Sequence, residues 1–176
     1  MTKTCAVGTL AFLIASVPVL SGQAPKPGPE QERLQPFVGN WTLDGEVKES
    51  PFGPAGKLTG TDRVESLGGF FIQRNFRFKL PQGEIRGVHV FGYDALKKTY
   101  VGSAYNTAGA YATMTATVSG NTWTFNGSGV GGGKPFHERC TVTFGTGNAS
   151  YAVACDASTD GKTWSPSLAG QATRSE

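Results

Sequence analysis

Charge is scarce in this chain: Asp, Glu, Lys and Arg make up 16% of its 176 residues, and the formal net charge is +3. So small a surplus, evenly spread, offers no basic face for nucleic acid and no patch for an acidic membrane surface. Histidine is scarcer still, with only His89 and His137, and of three cysteines one, Cys5, lies near the N-terminus. A zinc site takes three or four ligands, and this supply does not meet it, so no metal is expected. No serine sits in a nucleophile elbow. The run Gly129 to Gly133 before Lys134 lacks the Gly-Lys-Ser/Thr ending and the following helix of a phosphate loop; it reads as a flexible hairpin tip. No residue reads as catalytic. No apolar run reaches the roughly 20 residues that span a bilayer.

The longest apolar stretch, residues 5–20, follows a single charge at Lys3 and ends in small residues at Ser21, Gly22 and Ala24. A short positive start, an apolar middle and a small-residue exit describe a secretory signal, so residues 1–24 are expected to be a leader cut between 21 and 24. Gln23 stands where a lipid-carrying cysteine would be needed, so no stable membrane anchor is expected. The mature protein is then secreted or periplasmic. Residues 25–36 form a leader rich in proline, with Pro25, Pro27 and Pro29, and a short helix over 30–35. Pro29 suits a first helical position, Glu30 and Glu32 favour the first turn, and Pro36 stops it.

What the chain has in abundance is glycine, 25 residues, with threonine and serine around it. From Trp41 the pattern turns to period two. Trp41, Leu43, Gly45 and Val47 alternate with Thr42, Asp44, Glu46 and Lys48, the mark of a half-buried strand. Further strands are expected over 57–67, 70–80, 84–94, 99–106, 110–118, 122–128, 135–144, 151–157 and 167–174. Pairs such as Gly68-Gly69, Gly120-Asn121 and Gly147-Asn148 separate them and supply the positive φ of tight hairpins. About ten short strands with no room for crossover helices give an all-β, antiparallel up-and-down meander over residues 37–176. Closing it into a barrel removes its edges; a sandwich is the alternative.

Folding the hairpin about Gly147-Asn148 sets Phe144 opposite Tyr151, Val142 opposite Val153 and Cys140 opposite Cys155. Directly opposed residues lie within disulfide range, and an exported protein oxidises such a pair. A cross-strand disulfide is expected between Cys140 and Cys155.

The same alternation places Arg74 inside, among Phe70, Ile72, Phe76, Phe78 and Leu80, and does the same for Asp62 and Glu138. A buried guanidinium needs a partner. Arg74 therefore either pairs with Asp62 or Glu138 or receives the carboxylate of a ligand. A ligand would be small and apolar or amphiphilic, in a cavity walled by Trp41, Leu43, Phe76, Phe78, Tyr100, Trp123 and Phe125. His89 shares a face with Phe91 and Tyr93, and a barrel can hold haem on one histidine; no cofactor is otherwise implied. Two other readings are an enzyme acting on a lipophilic molecule and a structural barrel filled by its own side chains. A monomer is expected.

The motif Gly39-Asn40-Trp41, which follows a short helix and opens the first strand, resembles the entry of the lipocalins and their calycin relatives. More of the chain resembles bacterial domain-of-unknown-function family 1579. The shared features are the segment from Pro29 to Leu34, Phe37 to Trp41, Gly68-Gly69 before Phe70 and Phe71, Gly92-Tyr93-Asp94 with Lys97, Lys98 and Tyr100, and Asp160-Gly161-Lys162 with Trp164. The resemblance implies a calycin-like barrel and carries no established activity with it.

Overall fold

The alternation that starts at Trp41 produces ten antiparallel strands. They are β1 (Gly39–Val47), β2 (Gly56–Leu67), β3 (Phe71–Leu80), β4 (Gly83–Asp94), β5 (Thr99–Asn106), β6 (Tyr111–Ser119), β7 (Thr122–Gly131), β8 (Lys134–Phe144), β9 (Ser150–Ser158) and β10 (Ser165–Ser175). Each pairs with the next along the chain, and β10 returns to β1 from Asn40↔Ser175 to Val47↔Leu168, so the sheet closes on itself. Closure satisfies every edge that a ten-stranded meander would otherwise expose. The computed structural model describes residues 25–175; the signal peptide expected over 1–24 lies outside them. Among the described residues no helix is long and apolar enough to cross a membrane.

The helical segment departs from the single helix expected over 30–35. It breaks into one α-turn, α1 (Pro29–Glu32), and a 3-10 turn, Gln35–Phe37. Pro36 has no N–H to continue an α-helical ladder, so the chain tightens there instead. That tightening aims Phe37 into one end of the barrel. Its ring lies edge-on to Trp123 at 5.2 Å and to Phe144 at 4.9 Å, and its carbonyl accepts the Trp41 indole N–H at 2.8 Å. Leu34 beside it is almost wholly buried. The Tyr100 hydroxyl donates to the Glu30 carboxylate at 2.8 Å and ties α1 down from the opposite wall. The segment is a plug.

The glycine-rich run at 129–133 is mostly strand, not the flexible tip expected from its composition. Gly129 pairs with Phe136 and Gly131 with Lys134, which leaves Gly132-Gly133 as the turn, with φ of 57° and 75°. At Gly129 a Cβ would collide with the Tyr111 backbone on the neighbouring strand, so a side chain there would push β6 and β7 apart.

The register of β8 on β9 is the one expected, with Phe144↔Tyr151, Val142↔Val153 and Cys140↔Cys155. Gly145 donates to the Ser150 carbonyl at 2.9 Å across the four residues 146–149. Counting back from there makes Cys140↔Cys155 a non-hydrogen-bonded pair, the closer of the two kinds. Its Cα atoms are 4.1 Å apart and the sulfurs are bonded. A Cys140→Ala/Cys155→Ala double variant should still fold and should lose at most about 3 kcal/mol, because the loop closed is short. Urea unfolding of the two proteins measures the difference.

Candidate functional site

Inside the barrel the two ends differ. The plugged end is solid: Phe37, Trp41, Tyr100, Trp123, Phe144 and Tyr151 pack ring against ring. Above that floor lies a cavity of about 710 Å³. It extends to the β1–β2, β3–β4, β5–β6 and β7–β8 connections, where Phe52, Gln82, Ala108 and Gly132 line it. The volume falls in the range of small-molecule sites. A filled barrel would show none of it.

Of the residues expected to line a ligand space, Trp41, Leu43, Phe76, Phe78 and Phe125 do so, together with Arg74 and Glu138. Tyr100 and Trp123 point inward but do not reach the cavity; they are 3% and 2% exposed and lie in the floor. Phe37 occupies the space that would otherwise open above them. Asp62 is not part of the lining either. Its side chain is fully buried behind Arg74.

Arg74 Nη2 lies 2.8 Å from Asp62 Oδ2 and 3.1 Å from Oδ1. The Tyr151 hydroxyl donates to Asp62 Oδ2 at 3.3 Å. The sequence left Asp62 and Glu138 as alternative partners, and the fold chooses Asp62. Burial works against the charge on Arg74, but Asp62, Tyr151 and Glu138 together outweigh it and hold the guanidinium above its usual pKa. Burial also pushes the Tyr151 hydroxyl up to about 12. Over the cavity the guanidinium stacks above Phe76 and Phe78, 5.3 Å from each ring centre. Its Nε has no hydrogen-bond partner among the described residues.

Two further titratable groups face the same space. His89, opposite Arg74 in the β3–β4 register, lies edge-on to Phe76 at 5.3 Å. Burial and the Arg74 charge push its pKa down to about 3, so the ring is neutral at ordinary pH. Glu138 shifts the other way: burial raises its carboxyl, and Arg74 offsets this only in part. Glu138 also lies within 4.8 Å of the Cys140 and Cys155 sulfurs. The sulfurs are bonded to each other, so neither offers a thiolate to a metal.

The histidine has a measurable consequence. From pH 6.5 down to about 3 the unfolded chain takes up a proton that folded His89 refuses. Stability should therefore fall with decreasing pH, with a contribution of up to about 1.4 kcal/mol per pH unit from this residue. Glu138, with its raised pKa, contributes the opposite slope above its ordinary 4.5. Comparing wild type with His89→Gln by urea unfolding at pH 6.5, 5.5 and 4.5 isolates the histidine: the variant should lose less stability over that interval.

A model of the family described as proteins of unknown function, DUF1579, matches residues 26–174. The chain belongs to that family. No curated protein matches the sequence. Among solved structures, the DUF1579 chain is similar to the crystal structure of Rv2717c from M. tuberculosis, with a TM-score of 0.64 at 12% identity, covering 86% of this chain and 100% of that one. A de novo designed fluorescence-activating β-barrel gives 0.44 at 15% identity over 80% and 95% of the two chains. The first likeness shows the barrel fold.

The motifs that pointed to DUF1579 are framework in this barrel. Asp94 accepts the Leu96 and Lys97 amides, both at 3.0 Å, and shapes the β4–β5 turn. Asp160 accepts the Lys162 and Thr163 amides, both at 2.8 Å, in the β9–β10 loop. Trp164 ends that loop under the Arg139 guanidinium, 3.9 Å from its ring centre. Two residues that sequence reasoning missed support the floor. Tyr151 braces Asp62, and Arg174 donates to the Val38 and Pro36 carbonyls at 2.6 and 3.0 Å while lying 4.4 Å above the Trp41 ring. A basic residue near the C-terminus gives no signal of such a role by itself.

Proposed function

We propose that this DUF1579 protein is an exported, monomeric binding protein that holds one small, largely apolar or amphiphilic molecule inside its barrel. The observation that carries the reading is the cavity of about 710 Å³ with a mostly hydrocarbon and aromatic wall and a few polar groups converging on it. Apolar burial supplies the affinity, and sparse polar groups set the orientation. Trp41, Leu43, Phe76 and Phe78 form wall, Arg74 and Glu138 present polar atoms, and Asp62 acts by fixing Arg74. Tyr100 and Trp123 keep the floor rigid beneath. The Cys140–Cys155 disulfide favours an oxidising compartment, and with it export.

Native mass spectrometry tests this. Protein purified without detergent from its own host should carry one small molecule per chain, released on denaturation. A bare-chain mass, both from the host and after incubation with long-chain amphiphiles, would end the reading.

A further inference from the structure

Charge placement within the cavity reverses the ligand chemistry that an internal arginine first suggests. The positive charge of Arg74 is already matched at 2.8 Å by Asp62, whose side chain no ligand can reach. Glu138 lines the same cavity, and among the described residues no Lys, Arg or His lies within 4.0 Å of its carboxylate and no group donates a hydrogen bond to it. Two lysines, Lys48 and Lys134, also line the space, but Lys48 is engaged with Glu46 and both are exposed to solvent at the rim, where water screens them. Inside, the acid–base set is therefore one guanidinium and two carboxyl groups, of which only Asp62 is paired with the guanidinium. His89 adds a neutral ring.

Resting on the binding function proposed above, we infer that the cavity selects amphiphiles whose polar head is an amine, seated as an ammonium against Glu138, over those with a carboxylate head. An ammonium supplies the hydrogen-bond donors and the positive charge that Glu138 lacks. It completes two ion pairs in a space where an unmatched charge is costly. A carboxylate head would face the Glu138 carboxyl group and one cation that already has its partner. Its best arrangement requires Glu138 to take up a proton first. The Arg74 face keeps a role as well: Nη1, which Asp62 does not engage, is free to donate to an acceptor next to the amine, such as a hydroxyl or carbonyl oxygen.

The test uses three ligands of one chain length: dodecylamine, dodecanol and dodecanoate, each below its aggregation concentration. Calorimetry at pH 7 measures their binding to wild type and to Glu138→Gln, with urea unfolding confirming that the variant folds. Wild type should bind the amine at least tenfold more tightly than the carboxylate, and Glu138→Gln should reduce that gap to threefold or less. Equal or tighter binding of dodecanoate by wild type, or a gap that survives in Glu138→Gln, overturns the amine preference while the cavity keeps its binding function. Failure of all three ligands to bind wild type overturns the binding function, and the preference falls with it.

Discussion

Asp62→Ala should destabilise the barrel by about 3–5 kcal/mol, the cost of breaking a buried ion pair from one side. The substitution removes the one carboxylate among the described residues that forms an ion pair with Arg74 and also strips the Tyr151 hydroxyl of its acceptor. The loss should fall toward the lower end of that range, because Arg74 keeps 27% of its side-chain surface open and that surface faces the cavity. Water there partly replaces the lost partner. Adding Arg74→Met should restore most of the stability, since replacing both members of a buried pair by apolar groups is often close to neutral. Urea denaturation of the two single variants and the double variant yields the coupling directly. If Asp62→Ala costs less than about 1 kcal/mol, the range of a solvent-exposed pair, Arg74 is hydrated rather than paired, and the polar wall of the cavity is organised differently.

Trp41→Ala should be comparably severe, at about 3–5 kcal/mol. Trp41 is 1% exposed and packs on Tyr151 at 4.8 Å and Phe144 at 6.2 Å between ring centres. Its indole N–H holds the Phe37 carbonyl, and its outer face carries Arg174. Losing the ring leaves a void in the floor, frees the plug at Phe37 and deprives Arg174 of its stacking surface. Trp41→Phe separates these effects. It keeps most of the hydrocarbon but lacks the donor, so it should cost about 1–2 kcal/mol less than Ala. Equal losses for the two variants would show that the hydrogen bond to Phe37, and not the packing, holds the floor together.

Alternation says which side of a sheet a residue faces, and that much was legible from Trp41 onward. The ten strands, the Cys140–Cys155 register and the inward turn of Arg74, Asp62 and Glu138 all follow from period two and from glycine-bearing turns. Alternation says nothing about height along the barrel axis. Height depends on the stagger between strands, which accumulates around the closed sheet. That is why Tyr100 and Trp123, read as cavity wall, belong to the floor, and why the choice between Asp62 and Glu138 as partner for Arg74 stayed open until the fold was known.

The plug was illegible for a different reason. A single α-turn and a three-residue 3-10 turn are too short to show helical periodicity, so nothing in 29–37 marks Phe37 as the residue that enters the barrel. Tyr151 and Arg174 act across 89 and 136 residues of sequence, on Asp62 and on Val38. Contacts at that range are products of closure. The glycine-rich run at 129–133 misled in the opposite sense, because a composition that suits a loose tip also suits a strand that, at Gly129, approaches its neighbour too closely for a Cβ.

If the half of the barrel above Phe37 is space for a guest, a bulky side chain added to its wall must exclude that guest. Ala112 lines that space on β6. Calorimetric titration of dodecylamine into wild type and Ala112→Trp decides this. Wild type should bind one molecule per chain, and the variant, folded but with its cavity occupied by the indole, should bind at least tenfold more weakly. Equal affinity for the two proteins, or several molecules per chain in both, would place the amphiphile on the outside of the barrel and leave the interior without a guest.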